Sequence, residues 1–212
     1  MIPSGITPVP RDDKTRAAMR KELGASDNDR LIGVVAELVP HKGHRFLLDA
    51  MPEVARGHAE SRLVVVGDGP LRSELEGRAA DLNLVKKVRF LGRREDVPRL
   101  LNAFDLFVMP SVTEGLGTSI LDAMSAGVPV VATDAGGIPE IVRAAETGLI
   151  AKAGDASSLA RALRAALANP DAARERAERA AAMVGADYTA EATAQKTLAY
   201  YREILGAKGT GS

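Results

Sequence analysis

The sequence predicts an α/β domain, a doubly wound parallel sheet followed by C-terminal helices. Three observations carry that expectation. Short runs that are apolar throughout, such as 63–66 and 106–109, alternate with amphipathic helical stretches, the pattern of strands covered on both faces. Glycine-bearing turns follow the strands, over residues 33–43, 67–70, 92–96, 111–118 and 133–137, so all of them fall on one edge of the sheet. From Asp155 onward the chain becomes rich in Ala, Arg and Glu and reads as helix alone.

The elements follow in order. Residues 1–10 hold three prolines and read as an extended linker. Residues 12–23 make a short charged helix and 31–36 a strand. Residues 43–57 make a helix with apolar positions at Phe46, Leu47, Ala50 and Met51. A strand at 63–66 ends in Gly67-Asp68-Gly69-Pro70 and leads to a helix over 71–82. Strand 88–91, helix 97–103 and strand 106–109 come next. A glycine turn with Gly115 and Gly117 then opens a helix that Gly127 and Pro129 close, as a left-handed cap and a breaker. Strands at 129–132 and 149–151 flank a helix over 138–144. Three helices, 155–168, 171–184 and 191–205, complete the pattern. Arg174 with Glu178 and Glu175 with Arg179 are spaced as helical partners on solvated faces. The domain reading is a linker at 1–10, one nucleotide-binding domain at 11–186, a closing helix at 187–206 and a disordered tail at 207–212. No internal repeat is visible.

Composition excludes several classes of function. With 46% hydrophobic residues, 212 residues suffice for one good core. Lys plus Arg and Asp plus Glu number 28 each, so nothing points to a nucleic-acid partner or an anionic membrane surface. Aromatics at 3% and no Trp argue against stacking on exposed bases. There is no Cys, which excludes disulfides and thiol chemistry. Three His without Cys do not compose a zinc site, so no metal is expected. No apolar run reaches the ~18 residues of a membrane span and no signal-peptide core opens the chain, so the expected location is cytoplasmic.

The chain is organised around residues 110–129. A buried strand runs into a glycine turn, a helix and a second strand, which is one half of a nucleotide-binding α/β unit. The free amides at such a helix start suit phosphate. Glu114 and Asp122 bracket it. This stretch, with Lys42-Gly43, Gly67-Asp68-Gly69-Pro70, Phe90-Leu91-Gly92, Pro110-Ser111, Glu114-Gly115-Leu116-Gly117, Ala123-Met124, residues 127–131, Gly136-Gly137 and Pro139-Glu140, resembles the nucleotide-sugar half of family-four retaining glycosyltransferases of the GT-B fold. The resemblance runs almost end to end, and Ile2 to Ile6 look like the segment after that family's interdomain hinge. Each motif is weak alone. Their order and spacing together are specific.

The resemblance implies roles for named residues. Glu114 matches the first acid of the family's Glu-x7-Glu motif, which touches the donor sugar. Asp122 stands at the second, which holds the ribose hydroxyls, with a side chain one methylene shorter. Carboxylates accepting from vicinal hydroxyls suit both roles. The alternatives are an ordinary turn carboxylate for Glu114 and a capping box, Ser119-x-x-Asp122, for the other. Amides from Gly115 and Gly117 to Thr118 and Ser119 would face the diphosphate, and Lys42, otherwise a surface lysine, would add a point charge. In most of the family an Arg lies five residues before that Lys; here it is Glu37, so the missing charge comes from Arg45, Arg93, Arg94, the other domain or nowhere. Gly67 and Gly69 would allow close backbone approach to the ligand. Gly92 and Arg93 lie in the turn that lines the base pocket. His41 and His44 read as polar loop residues.

The functional expectation is the donor-binding domain of a retaining transferase. Its substrate is a nucleotide-diphospho-sugar and no further cofactor is required. Its partner is an acceptor-binding N-terminal domain, through which any peripheral membrane association would come, and the fragment alone should be nearly inactive. Two alternatives stay open: a nucleotide-sugar binding module without catalysis, and a UDP-sugar epimerase of the same architecture.

Overall fold

Asp12 begins the first regular element. Its carboxylate accepts the amides of Lys14 and Thr15, at 3.3 and 2.8 Å, and α1 (Asp13–Glu22) follows. The computed structural model describes residues 5–208. After α1 come β1 (Arg30–Val35), α2 (His44–Gly57), β2 (Ser61–Val66), α3 (Arg72–Asp81), β3 (Val88–Gly92) and α4 (Val97–Ala103). They are followed by β4 (Leu106–Met109), α5 (Thr118–Ser125), β5 (Val130–Thr133), α6 (Ile138–Ile141) and β6 (Leu149–Ala151). Three helices end the described chain: α7 (Ala156–Ala168), α8 (Pro170–Asp187) and α9 (Ala190–Lys208).

All six strands are parallel, in the order β3-β2-β1-β4-β5-β6. The strand order reverses between β1 and β4, which lie side by side although α2, β2, α3, β3 and α4 separate them in sequence. A doubly wound sheet opens a crevice at that point, beyond the carboxyl ends of its strands. The site is therefore located by topology before any side chain is considered.

Alternation within the strands divides the core in two. Leu31, Phe107, Met109, Val130 and Ala132 point to one face, where α1, α4, α5 and α8 supply Met19, Leu100, Ile120, Met124 and Val184. Ile32, Val34, Leu106, Val108 and Val131 point to the other, against Leu47, Met51, Leu75 and Leu163 from α2, α3 and α7. Gly33 interrupts β1 because the Phe104 ring lies flat against it; a Cβ there would sit 2.1 Å from a ring carbon.

Several sequence expectations shift by a residue or two, and four change in kind. The helix expected over 138–144 is the single turn α6, since Val142 is extended and the Thr147 hydroxyl takes the Arg143 amide at 2.9 Å, turning the chain toward β6. Arg174 does not reach Glu178; its guanidinium lies 4.0 Å from Asp171, one turn back, whereas Glu175 and Arg179 do pair, at 3.9 Å. The capping box is not formed, because α5 starts at Thr118 with Gly117 as its cap and Asp122 falls in the second turn. Residues 207–208, expected in a disordered tail, continue α9. The rest of that tail, and Ile2 to Ser4 of the post-hinge segment, lie outside the described residues. The extended segment at 5–10 is bonded into the domain. Ile6 donates to the Tyr188 carbonyl at 2.8 Å and accepts from Ala190, and the Val9 amide meets Ser125 Oγ at 3.0 Å.

Candidate functional site

Three turns after parallel strands are clamped together at the β1/β4 crevice. The turn after β1 carries a short 3-10 segment (Pro40–Lys42) ending at Gly43, whose left-handed backbone (φ 69°) brings it against Pro110. A Cβ on Gly43 would lie 2.0 Å from the Pro110 carbonyl oxygen. The His41 carbonyl accepts the Val112 amide at 2.8 Å. From the far side, Gly136 and Gly137 press on the turn after β4. A Cβ on either would fall 1.9 Å from the Glu114 carbonyl or 2.3 Å from that of Gly115, and the Gly137 amide bonds both carbonyls. Thr133, at the end of β5, donates its hydroxyl to the Ser111 carbonyl at 2.6 Å. Glycine is needed here for chain-to-chain approach.

This packing sets the side chains. Lys42 Nζ donates to Glu114 Oε2 at 2.6 Å, Ser111 Oγ donates to the same oxygen at 3.0 Å, and the Gly115 amide reaches Oε1 at 3.2 Å. Lys42 and Glu114 keep 20% and 10% of their side-chain surface exposed, so their attraction is screened less than on an open surface. Burial acts to raise the Glu114 pKa. The hydrogen bond and charge of Lys42, with Ser111 and the Gly115 amide, outweigh it and hold the carboxylate below its usual range. The site thus holds one cation and one anion in mutual contact.

Beside this pair α5 begins. Gly117 is left-handed (φ 69°), no side chain caps the helix, and among the described residues no acceptor takes the Thr118 or Ser119 amides. These free donors and the positive helix end present an anion-binding face beside Lys42. Gly115 has open space where a Cβ would be. Asp122, one turn into α5, is half buried, its carboxylate has no partner among the described residues, and that burial raises its pKa. An acid held without a partner in a partly dry position is poised to accept a hydroxyl donor.

The other expected residues form a second group that joins the first through the β1 turn. The Gly67 amide bonds the Gly92 carbonyl at 2.8 Å, and Gly67 and Gly69 lie so close to Ala36 and Leu38 that a Cβ would meet their carbonyl oxygens at 2.0 and 2.7 Å. The close approach seen at these two glycines is to the chain itself. Arg93 is exposed and, among the described residues, makes no ion pair with Glu114. Arg94 is paired with Glu22 and Asp96, at 2.8 and 2.7 Å. Arg45 and Glu37 are exposed.

Three features were not read from the sequence as part of the site. Ser111 is buried and orients Glu114. Arg72 lies against Gly92, its Nη1 3.0 Å from where a Cβ would stand, and pairs with Asp68 and Glu76. His44, expected in a loop, is instead the buried first residue of α2. Among the described residues neither of its ring nitrogens has a partner, and burial, reinforced by Lys42, lowers its pKa to about 4. A histidine directly following a glycine turn carries no pattern that distinguishes these fates. Among the described residues no group of three His, Asp or Glu side chains is placed to hold a metal ion, and no helix is long and apolar enough to cross a membrane.

The family described as Glycosyl transferases group 1 matches residues 15–183. A mannosyltransferase of Corynebacterium glutamicum, described as GDP-mannose-dependent and acting on a monoacylated phosphatidylinositol monomannoside, is 39% identical over 183 residues, which cover 80% of this chain and 47% of that protein. Among solved structures, Anabaena Alr3699/HepE in complex with UDP superposes with a TM-score of 0.86 at 27% identity, over 92% of this chain and 54% of that one. Sucrose-phosphate synthase from Thermosynechococcus elongatus does so with a TM-score of 0.82 at 30% identity, over 97% and 52%. The chain spans about half the length of the relatives it matches.

Proposed function

Because the chain belongs to the Glycosyl transferases group 1 family, with the Rossmann-like sheet of a GT-B half, we propose that it binds the nucleotide-diphospho-sugar donor of a retaining hexosyl transfer. The acceptor would be held by a separate N-terminal domain. The observation that carries this reading is the contact of Lys42 with Glu114 at 2.6 Å, set at the sheet's switch point beside the uncapped start of α5. The diphosphate docks on the Thr118 and Ser119 amides. Lys42 supplies the charge that stabilises the departing nucleoside diphosphate, the α5 dipole adds to it, Glu114 grips the sugar hydroxyls and Asp122 the ribose. Closure against the second domain completes such a site and excludes water, so this chain alone binds the donor weakly and turns over little or nothing.

Calorimetric titration with UDP, GDP, UDP-glucose and GDP-mannose tests the reading. Binding of one nucleotide series, lost on Lys42→Met, supports it; no binding by any of the four sinks it. The relatives divide on the base, one being named for GDP-mannose and another having been solved with UDP, so the titration also decides between them. A second reading, a nucleotide-sugar module without catalysis, is favoured by Glu37, an exposed acid at the edge of the same turn where a cation would help the leaving group. Joining the chain to an acceptor-binding half and assaying transfer separates the two.

A further inference from the structure

A place with unbalanced charge lies at the opposite edge of the sheet, where the strands begin. A cavity of about 250 Å³ opens there among Arg11, Arg16 of α1, Arg30 at the start of β1, Asp105 just before β4 and Arg174 of α8. Four guanidiniums and one carboxylate line it, and the carboxylate is already in use. Asp105 accepts from Arg16 at 2.6 Å, from Arg20 behind the wall at 2.9 Å and from the Leu31 amide at 2.8 Å. Arg16 is consumed by that network. The others are not. Arg11 gives one N–H to the Gly127 carbonyl at 3.2 Å, and Arg174 is 4.0 Å from Asp171, an exposed acid. Among the described residues no carboxylate lies within 4.0 Å of Arg11 or Arg30. Arg30 does feel Glu60 at longer range. The start of α8, at Pro170 and Ala173, also borders the cavity; its first turn is capped by Asn169 and carries Asp171.

Guanidiniums converging on a concave space suit an anion with several oxygens, because each offers a planar fork of donors. The volume is below that of ordinary drug-sized sites and matches a ligand of only about a dozen heavy atoms. We propose that this cavity binds a small phosphorylated anion, the size of pyrophosphate or a sugar monophosphate, independently of the donor site on the other edge. A ligand there would tie the segment at 11–16 to α8 and the start of β1, elements that otherwise meet through few polar contacts.

Inorganic pyrophosphate is the probe, titrated calorimetrically into the whole chain and into three variants: Arg30→Ala/Arg174→Ala, Arg30→Lys/Arg174→Lys and Lys42→Ala. Both arginines are exposed, and a circular dichroism melt confirms that each variant folds. The expected result is binding that persists in Lys42→Ala, weakens at least tenfold in the double alanine variant and recovers in part in the double lysine variant. Binding that is lost with Lys42 and indifferent to Arg30 and Arg174 overturns the proposal, as does absence of binding to the Lys42→Ala chain. Sedimentation with phosphatidylglycerol vesicles separates a soluble ligand from a lipid headgroup. Arginine-dependent vesicle binding without pyrophosphate binding would also overturn it. Failure of the UDP and GDP titrations leaves this experiment intact, since the Lys42→Ala arm reads the arginine cavity alone.

Discussion

The two edges of the sheet solve the same electrostatic problem with different materials. At the carboxyl edge, positive potential comes from the backbone: uncapped amides of α5, exposed by glycines that let three turns touch, with Lys42 neutralised by Glu114. At the amino edge it comes from side chains, guanidiniums around a cavity with one overcommitted acid. Backbone donors cannot relax away, so the first edge is stiff and demands particular residues at particular dihedrals. Flexible arginines make the second tolerant of substitution. Rigidity of this kind belongs with chemistry, which needs fixed dipoles, whereas simple anion capture does not.

Glycine substitutions break this contrast most sharply. Gly136→Ala places a Cβ 1.9 Å from the Glu114 carbonyl at a left-handed residue (φ 53°) and should cost about 3 kcal/mol or more in urea unfolding. Gly127→Ala, at the amino edge, has the same backbone hand (φ 66°), but its nearest atom is an Arg11 nitrogen at 3.9 Å, so only the dihedral cost of about 1 kcal/mol is expected. Equal costs would refute the claim that the carboxyl edge is clamped.

Acid should expose the next largest effect. With its folded pKa at about 4 against an ordinary 6.5, His44 is neutral in the native state and must be protonated on unfolding in between. Stability on this account is full above 6.5 and falls as the pH drops toward 4, by up to about 3 kcal/mol. Denaturant midpoints measured across that window should show the slope in the native chain and lose most of it in His44→Leu.

Lys42→Met removes the cation of the carboxyl edge and leaves Glu114 half buried beside Ser111. Donor affinity should fall about 10- to 100-fold, or about 1.4–2.8 kcal/mol, by calorimetry. The Glu114 carboxylate has a depressed pKa, so the stability from the pair is present above the normal carboxylate range and disappears as the pH falls through the folded value. Lys42→Met should therefore differ from the native chain in melting temperature at neutral pH and not in strong acid. The smallest shift belongs to Asp122→Asn. Burial raises that pKa, so the charged form carries a penalty that grows as the pH rises through the folded value. The variant should melt slightly higher at neutral pH, match the native chain in acid, and bind nucleotide less well.

Most of the sheet was legible because its signals are local. Apolar runs and the glycines after them place β1 to β6 within two residues of where they lie, and Gly127 closes α5 with the expected left-handed backbone. The Lys42 and Glu114 turns could be named from motif order; their contact across 72 residues of chain could not, since it follows from β1 lying beside β4. The shortness of α6 depends on the Thr147 hydroxyl, which no periodicity records. The arginine cavity was wholly invisible. Its residues come from segments as far apart as Arg11 and Arg174, and each alone resembles any solvated side chain.

The contact between Lys42 and Glu114 has a bearing on discrimination. With the two charges already satisfied by one another, a newcomer gains only what it offers beyond the partner it displaces. A bare nucleoside diphosphate would capture the ammonium yet strand the carboxylate; a molecule bringing phosphate and sugar hydroxyls together replaces both halves at once. On the proposed function, the Lys42–Glu114 pair thereby biases the site against its own spent product, and the ratio of dissociation constants for a nucleoside diphosphate and its sugar conjugate, before and after Glu114→Gln, measures that bias.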